Sequence, residues 1–358
     1  MVKYSCIPAR ELSADLRGRW DAIQRSTQSF ASPYFRPEFT EAVAQVRKDV
    51  YVGLIENDGE AVGFFPHHRK ASGTGRPVGL ALSDYHGVIA VPFAKWTAEG
   101  LLRSCKLGRW EFDHLPATQR QFITPSCTTA ISPIIDLSGG FYGYENSRDS
   151  SARKQLREIR RKRERLAEHI GDVTFSAHTA EPDILRMLLR WKSEQCRRTG
   201  VTDFFAIDWC VGLVKQIHGI RGPSFGGILS CLRARETVVA IHFAMYGPRV
   251  WHSWFPAYDT RFREYSPGMI LLLEMIHEAA ERNISHIDLG KGMSLYKKRV
   301  MTDGISLAEG HLALPSIRNR VWKLQRELEQ IARRSPLSPV LRIPGRLITR
   351  ARSMGRYL

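Results

Sequence analysis

The stretch that decides the fold runs from Ala257 to Val300 and reads AYDTRFREYSPGMILLLEMIHEAAERNISHIDLGKGMSLYKKRV. A polar loop leads into an apolar helix, for which Ser266 is the expected N-cap and Pro267 the first helical residue. A strand over residues 284–289 follows, and the glycine turn 290–292 then leads into a short basic helix. This order predicts an α/β unit with a binding site near the start of the apolar helix.

The start of this helix is a candidate phosphate site. Its first amide groups have no partner within the helix, and the helix dipole places positive charge at that end. Gly268 would let a ligand approach closely, and Arg261 or Arg263 could add positive charge. A helix that is only well capped would carry the same Ser-Pro-Gly sequence, so this motif alone does not decide between the two.

Three polar side chains lie within ten positions at the end of the predicted strand: Asp288, Tyr296 and Lys297. Acyl transfer from a thioester needs a deprotonated acceptor, donors for the tetrahedral oxyanion and a proton for the departing thiolate. A phenol with a pKa of about 10 can protonate a thiolate with a pKa of about 8.5. A turn role for Asp288 and a core role for Tyr296 are the structural alternatives.

Taken in order, these motifs resemble the C-terminal signature of the GNAT-type acetyltransferases associated with bacterial cellulose and exopolysaccharide biosynthesis. That family has a Tyr-Asp pair, a small-Pro-Gly helix start, an Asp-x-Gly-x-Gly turn and a Tyr-Lys pair. Here the four motifs fall on Tyr258-Asp259, Ser266-Pro267-Gly268, Asp288-Leu289-Gly290-Lys291-Gly292 and Tyr296-Lys297. The stretch LSDYHGVIA at 82–90 and the Arg-rich helix from Arg153 are also similar, so the resemblance covers about residues 28–312.

The resemblance implies a tandem GNAT fold, as in the Fem-type peptidyltransferases, and acetyl-CoA or another acyl-CoA as co-substrate, with no metal. The catalytic residues that it implies are Asp288, Tyr296 and Lys297. The implied CoA-binding residues are Arg261, Ser266, Pro267, Gly268, Gly290 and Gly292. The implied acceptor-binding residues are Asp84, Tyr85, His86, Tyr258 and Asp259, of which the first three equally fit a structural role. The usual GNAT pyrophosphate loop has several spaced glycines, whereas this chain has only Gly268 there, so an aminoacyl-tRNA donor stays open.

A weak internal repeat predicts two similar halves. The sequences FRPEF at 35–39 and FAIDW at 205–209 each begin a helical stretch, and a hairpin pattern follows each of them. We therefore predict an α/β (α+β) fold of two tandem GNAT-like domains, each a mixed, mostly antiparallel twisted sheet flanked by helices. The expected divisions are a degenerate first domain at 1–140, a domain with the acyl-CoA site at 141–315, and a basic amphipathic tail at 316–358.

The net charge of +17 is concentrated in two segments. Residues 153–165 hold eight Lys and Arg against two Glu, and residues 317–358 hold eleven against two. The rest of the chain is nearly neutral, which does not suggest a surface adapted throughout to nucleic acid. The six cysteines form no C-x-x-C pair and have no clustered histidines, which argues against a zinc site and a disulfide framework.

Three classes of function remain open. A CoA-dependent N- or O-acyltransferase would modify a saccharide or a lipid-linked precursor in exopolysaccharide or cell-envelope biosynthesis. A Fem-like transferase would take an amino acid from tRNA, with the basic helix as a phosphate track. A non-catalytic partner of a polysaccharide synthase would use the basic tail at the inner face of the membrane. Because no apolar leader or spanning run is evident, we expect a cytoplasmic protein whose tail makes peripheral contact with anionic membrane.

Overall fold

The first half of the chain alternates strands and helices in this computed structural model, which describes residues 1–334. Its elements are β1 (Val2–Pro8), α1 (Ala14–Ser26), α2 (Pro37–Val46), β2 (Val50–Asn57), β3 (Glu60–Arg69), β4 (Thr74–Pro77), β5 (Ile89–Ala90), α3 (Ala98–Ser104), β6 (Arg109–Pro116) and β7 (Thr128–Asp136).

The second half begins with helices and ends with a long strand and a helix. Its elements are α4 (Gly140–Asn146), α5 (Ser150–Ile170), β8 (Val173–Ser176), α6 (Pro182–Thr199), α7 (Asp208–Gly219), β9 (Gly226–Ala234), β10 (Thr237–Tyr246), β11 (Val250–Tyr258), α8 (Pro267–Glu281), β12 (His286–Asp288), α9 (Leu295–Val300), β13 (Asp303–Ala313) and α10 (Ile317–Arg334). The strand predicted at 284–289 is therefore present, but only its middle is paired.

All thirteen strands of the described chain belong to one twisted sheet. Their order is β1-β2-β3-β4-β6-β13-β7-β12-β11-β10-β9-β8, and β5 pairs with β3 at the side. Two pairs are parallel, β4 with β6 and β11 with β12, and the other pairs are antiparallel. Helices flank this mixed, mostly antiparallel sheet, so the predicted fold class is confirmed.

The repeat is visible in the order of the elements. In each half a short 3₁₀ turn, Pro33–Phe35 or Phe204–Ala206, leads into a helix, and an antiparallel hairpin follows that helix. The two helices concerned, α2 and α7, pack against each other, and Val43 and Leu213 are fully buried in the same apolar cluster. The two halves therefore share a core at their junction, which fixes the relative position of everything that lies between them.

Strand β13 belongs to the second half by sequence but lies between two strands of the first half. It pairs with β6 on one side and with β7 on the other, and β7 in turn pairs with β12. Ile134 of β7 thus has Asp288 as its partner on one side and Asp303 on the other. Strands from before and after residue 140 therefore pair in one sheet. The predicted division into domains at 1–140 and 141–315 stays a prediction.

The amphipathic segment predicted after Pro315 forms α10. Its first turn is held to the sheet by Asn319, whose Nδ2 donates to the carbonyls of Gly108 and Leu314 at 2.7 and 2.8 Å. The guanidinium of Arg109 lies 4.4 Å from the centre of the Trp322 ring. The remainder of the predicted tail, 335–358, lies outside the described residues. Within residues 1–334, no helix combines the length and apolar character needed to cross a membrane.

We expect residues 1–140, produced alone, to lack a cooperative unfolding transition, because β6 and β7 would lose the strand that separates them and expose their edges. Urea unfolding followed by circular dichroism measures this, with a chain of residues 1–315, which retains β13, as the matched control. A cooperative transition in the short fragment would instead establish the first half as an independent domain.

Candidate active site at the junction of the two halves

The parallel strands β11 and β12 separate at their carboxyl ends. Their last pair is His252 with Asp288. Beyond this pair, β11 continues along β10 to Tyr258, whereas the segment that follows β12 turns away at Gly290. We call this opening between β11 and β12 the fork. In the part of the chain that the structure describes, no strand pairs with the outer edge of β11 from Ser253 onward, a length of about 17 Å at 3.3 Å per residue.

Asp288 lies at the base of the fork and is almost completely buried. Its Oδ2 accepts a hydrogen bond from the Tyr85 hydroxyl at 2.5 Å. Its Oδ1 accepts from the Ser132 hydroxyl at 2.6 Å and from the Gly290 amide at 2.8 Å. Burial and then the charge of Asp288 raise the pKa of Tyr85, so this phenol remains the proton donor. Three donors from separate segments thus satisfy one buried carboxylate.

The carboxylate of Asp84 reaches the surface, with 24% of its side chain exposed. Its Oδ2 lies 2.9 Å from Nε2 of His252, and its Oδ1 lies 3.4 Å from Nε2 of His114. Burial raises the pKa of Asp84, but the His252 hydrogen bond and the charges of His114, His252 and Lys297 outweigh it, so the pKa is lowered. Asp84 is therefore an ionised carboxylate that solvent can reach.

The turn that follows Asp288 requires glycine at position 290. The φ of Gly290 is +76°, and a Cβ there would lie 2.9 Å from Oδ2 of Asp84. Lys297 braces the same turn, because its Nζ donates to the carbonyls of Gly290 and Lys291 at 2.7 and 3.1 Å. Burial lowers the pKa of Lys297, and the charges of Asp84 and Asp288 oppose that effect. The turn thus brings Asp84 and Lys297 close together, while Gly292 at its end adjoins open space.

His86 lies beneath this surface and joins the Asp84 loop to β6. Its Nε2 accepts hydrogen bonds from the amides of Asp113 and His114 at 3.1 and 3.0 Å. Burial lowers the pKa of His86 to about 3, so the ring is neutral and suited to accept these bonds. Nδ1 of His114 lies 3.0 Å from the Asp113 carboxylate. His114 consequently stands between two carboxylates, those of Asp84 and Asp113.

Tyr296 lies on the face of the sheet opposite Asp288. It packs against the apolar cluster beneath α8, to which Ile287 also belongs. Because successive strand residues point to opposite faces, Asp288 lies on the face away from that cluster. Burial raises the pKa of Tyr296 to about 12, so the phenol keeps its proton at neutral pH.

The start of α8 corrects one expectation. Ser266 occupies the N-cap position and Pro267 the first helical position, but the Ser266 side chain caps no amide. Its φ is +54°, and its hydroxyl accepts a hydrogen bond from Nζ of Lys162 at 2.8 Å. The carbonyl of Ser266 accepts instead from the amides of Met269 and Ile270, at 2.9 and 3.2 Å. The left-handed backbone turns the Ser266 hydroxyl toward α5 and away from the helix amides.

Lys162 of α5 supplies positive charge at this helix start, whereas Arg261 of the loop is paired and Arg263 lies exposed in the same loop. The Arg261 guanidinium is paired with the Asp259 carboxylate at 2.6 to 3.1 Å, which neutralises its charge. Lys162 approaches the helix start from a position 104 residues earlier in the chain. A Cβ at Gly268 would meet Tyr258 at 3.5 Å, an ordinary contact, so the side chain of Tyr258 packs beside the helix at this point.

The structure therefore distributes the predicted site residues over three places. At the fork lie Asp84, Tyr85, Asp288, Gly290 and Lys297, with His86 beneath them and Gly292 at the edge. At the start of α8 lie Tyr258, Asp259, Arg261, Ser266, Pro267 and Gly268, and Tyr296 lies on the opposite face of the sheet. Sequence reasoning missed Ser132, His114, His252 and Lys162, because only strand pairing and helix packing bring these four next to the predicted residues.

We expect Tyr85→Phe to lower the free energy of unfolding by about 1–3 kcal/mol, because it removes a donor from a buried carboxylate. Tyr296→Phe is the matched control, since its hydroxyl makes no hydrogen bond within residues 1–334. Guanidinium unfolding of both variants measures the difference. Equal losses would show that the Tyr85 hydroxyl does not support Asp288.

Comparison with known proteins bears on the fold and on one domain of the chain. Residues 153–298 match the family model described as an acetyltransferase (GNAT) domain. No curated protein sequence matches the chain. Among solved structures, FemX is similar with a TM-score of 0.57 at 10% identity, over 86% of this chain and 98% of that one. L-PGS from Bacillus licheniformis is similar with a TM-score of 0.51 at 9% identity, over 88% and 97%.

Likenesses at such low identity show the fold, and the family model adds the type of domain. The matched range includes α5, the fork, the start of α8 and most of α9. Residues 153–298 therefore match a GNAT acetyltransferase domain, and this match supports an acyltransferase.

Proposed function

We propose that this acyltransferase moves an acyl group, acetyl in the simplest case, from acyl-CoA to a hydroxyl or amine of a saccharide or lipid-linked precursor of exopolysaccharide or cell envelope. One observation carries the proposal. An ionised, accessible carboxylate, Asp84, borders the fork, and a protonated phenol, Tyr296, packs against the apolar cluster on the other face of the sheet. Acyl transfer from a thioester needs a base on the acceptor side and an acid on the leaving-group side.

The donor fits between the start of α8 and the fork. The phosphates of acyl-CoA would bind at Gly268 and Lys162, where a helix start and a cation coincide. Its amide-containing arm would then lie along the free edge of β11 from Tyr258 toward Ser253 and pair with the strand backbone. In this arrangement the thioester reaches the base of the fork beside His252.

The chemistry follows from this placement. The acceptor hydroxyl or amine donates a hydrogen bond to Asp84, and the carboxylate takes the proton as the new bond to the thioester carbon forms. The carbon–sulfur bond then breaks, and the Tyr296 hydroxyl donates a hydrogen bond to the departing thiolate, which takes its proton from solvent. His252 and His114 hold Asp84 in place, whereas Asp288 positions Tyr85, Ser132 and the glycine turn without touching substrate.

An apolar surface beside the fork favours a lipid-linked acceptor. Ile131, Met293 and Leu295 are 47%, 42% and 67% exposed. The amide of Gly292 donates to the carbonyl of Ile131 at 3.0 Å, which places the glycine turn and this surface side by side. A saccharide with hydroxyls near Asp84 and a hydrocarbon chain on these residues would use both.

We expect Asp84→Asn and Tyr296→Phe each to lower kcat roughly 10²-fold or more while leaving the Kd of acetyl-CoA nearly unchanged. The assay records thiol release from acetyl-CoA with a panel of amino sugars and polyprenyl-linked saccharides, and mass spectrometry identifies the product. Asp183→Asn, on the exposed face of α6, is the matched control. Parental turnover by Asp84→Asn would leave Asp84 a structural role only.

A Fem-like transfer of an amino acid from tRNA is the second candidate. The observation that favours it is a row of exposed basic residues along α5: Arg153, Lys154, Arg157, Arg161 and Arg165. Such a row could follow a nucleic-acid backbone. Calorimetry separates the candidates, since the proposal requires binding of acetyl-CoA and desulfo-CoA, while binding of charged tRNA alone would overturn it. A scaffold that only assists a polysaccharide synthase would turn over neither donor.

We also propose that α10 attaches the protein to an anionic membrane at the cytoplasmic face, directly or beside a polysaccharide synthase. Ile317, Val321, Leu324 and Leu328 recur at helical spacing and are 51–81% exposed. Basic residues accompany this stripe at Arg318, Arg320, Lys323 and Arg326. An apolar stripe with flanking cations suits a helix that lies in the interface of an anionic bilayer.

We expect the double change Val321→Ser and Leu324→Ser to reduce sedimentation with phosphatidylglycerol-containing vesicles at least tenfold, because two exposed apolar side chains no longer enter the bilayer. Gln325→Ser on the same helix is the control. Both variants retain Asn319 and Trp322, so the helix stays attached to the sheet. Unchanged sedimentation of the double variant would exclude this surface as the membrane contact.

A further inference from the structure

A second cluster of reactive side chains lies in the first half of the chain, among residues that the proposed function does not use. Cys6 of β1, His67 of β3 and Cys105 at the end of α3 each direct one ligand atom to a common point. The two sulfurs and one imidazole nitrogen all lie within 4.8 Å of one another. These residues are 61 and 38 positions apart in sequence, so only the fold brings them together.

The backbone around this cluster leaves room for it. Gly53 of β2 pairs with Cys6 on one side and with Phe65 on the other. A Cβ at Gly53 would lie 2.6 Å from Sγ of Cys105, so the missing side chain makes space for that sulfur. Cys105 is fully buried, whereas Cys6 is partly exposed, and the cluster can therefore be reached from one side.

The imidazole of His67 is oriented as a ligand. Its Nδ1 lies 2.9 Å from the carbonyl of Phe65, so the proton on Nδ1 is donated there and the lone pair is left on Nε2. His67 is fully buried, and its Nε2 has no hydrogen-bond partner within residues 1–334. The ring stacks between Phe65 and Tyr51, with centroid distances of 4.9 and 6.2 Å, which fixes its plane. A metal-binding histidine usually donates the N–H of one ring nitrogen to a carbonyl or carboxylate and binds the metal through the lone pair of the other nitrogen.

A nearby cation stabilises negative charge on the sulfurs. The guanidinium of Arg69 donates to the carbonyl of Cys105 at 3.2 Å and lies 3.8 Å from the centre of the Tyr51 ring. No carboxylate belongs to the cluster. Two sulfurs and one imidazole without oxygen ligands select a thiophilic cation over magnesium or calcium.

We propose that Cys6, His67 and Cys105 bind one Zn²⁺ ion, with a water molecule from the exposed side as fourth ligand. Two thiolates and one imidazole nitrogen form a tetrahedral set together with that water. The ion would join the edge strand β1 to β3 and to the end of α3, and so would stabilise the first half without taking part in acyl transfer. This site is independent of the fork, since the two share no residue.

The test uses the full-length, reduced protein after removal of metal with a chelator. We expect calorimetry to show one Zn²⁺ per chain, and substitution with Co²⁺ to show the thiolate charge-transfer absorption and intense ligand-field bands of a tetrahedral site. Cys6→Ser should weaken Zn²⁺ binding at least 100-fold, because it removes a ligand, while Cys210→Ser, a buried cysteine outside the cluster, should leave it unchanged.

A measurement without substitution accompanies this comparison, in case Cys6→Ser folds poorly. Zn²⁺ should slow the alkylation of Cys6 by iodoacetamide at least tenfold in the parent protein, as read by peptide mass spectrometry. Absence of Zn²⁺ binding by the reduced parent, or equal binding by Cys6→Ser, would overturn the proposal. A Cys6–Cys105 disulfide in the protein as isolated from cells, with no bound zinc, would overturn it as well and would assign the pair to redox chemistry.

Discussion

The buried carboxylate of Asp288 is the group on which the arrangement of the fork depends. Burying a carboxylate without hydrogen-bond partners costs free energy of folding. For Asp288 this cost is offset because the hydroxyls of Tyr85 and Ser132 and the amide of Gly290 all donate hydrogen bonds to it. Those donors come from the loop after β4, from β7 and from the turn after β12. One side chain therefore ties the first half of the chain, the central strands and the glycine turn into a single geometry.

That constraint explains why the two halves cannot be understood separately. Asp84 follows β4 in the first half, yet its carboxylate is held by His252 of β11 in the second half and lies against Gly290. The hydroxyl of Tyr85 crosses the same boundary to reach Asp288. No helix within residues 1–140 begins with a Ser-Pro-Gly sequence like that of α8. The first half contributes the side chains of Asp84, Tyr85 and Ser132 to the fork.

The fork also separates two environments that acyl transfer requires. On one face, the hydrogen bond from His252 and the charges of His114, His252 and Lys297 lower the pKa of Asp84 against the effect of burial. On the other face, the apolar cluster beneath α8 raises the pKa of Tyr296. Strands β11 and β12 pair over only three residues, and the pairing stops at His252 and Asp288. Beyond that point the strands diverge, and the opening between them has a polar surface on one face and an apolar surface on the other.

Local patterns in the sequence were sufficient for several elements of the fold. The apolar run after Pro267 identified α8, the alternation of apolar residues identified the hairpins, and the recurrence of a helix and hairpin identified the repeat. Glycine at 290 and the aspartate at 288 were recognisable because a turn residue leaves a local signal. Hydrophobic periodicity and turn chemistry act over a few residues, so a single segment contains all the information that they require.

The partners of those residues depended on the tertiary structure. Asp288 is close to Tyr296 in the sequence, but the sheet places the two side chains on opposite faces. The hydroxyl of Tyr85, 203 residues away, donates a hydrogen bond to Asp288 instead. Arg261 seemed the natural cation for the start of α8, but it pairs with Asp259, and Lys162 occupies that place from α5. Cys6, His67 and Cys105 carry no spacing motif at all. Which side chains meet is set by strand order and helix packing, and these are decided by the burial of apolar surface over the whole chain.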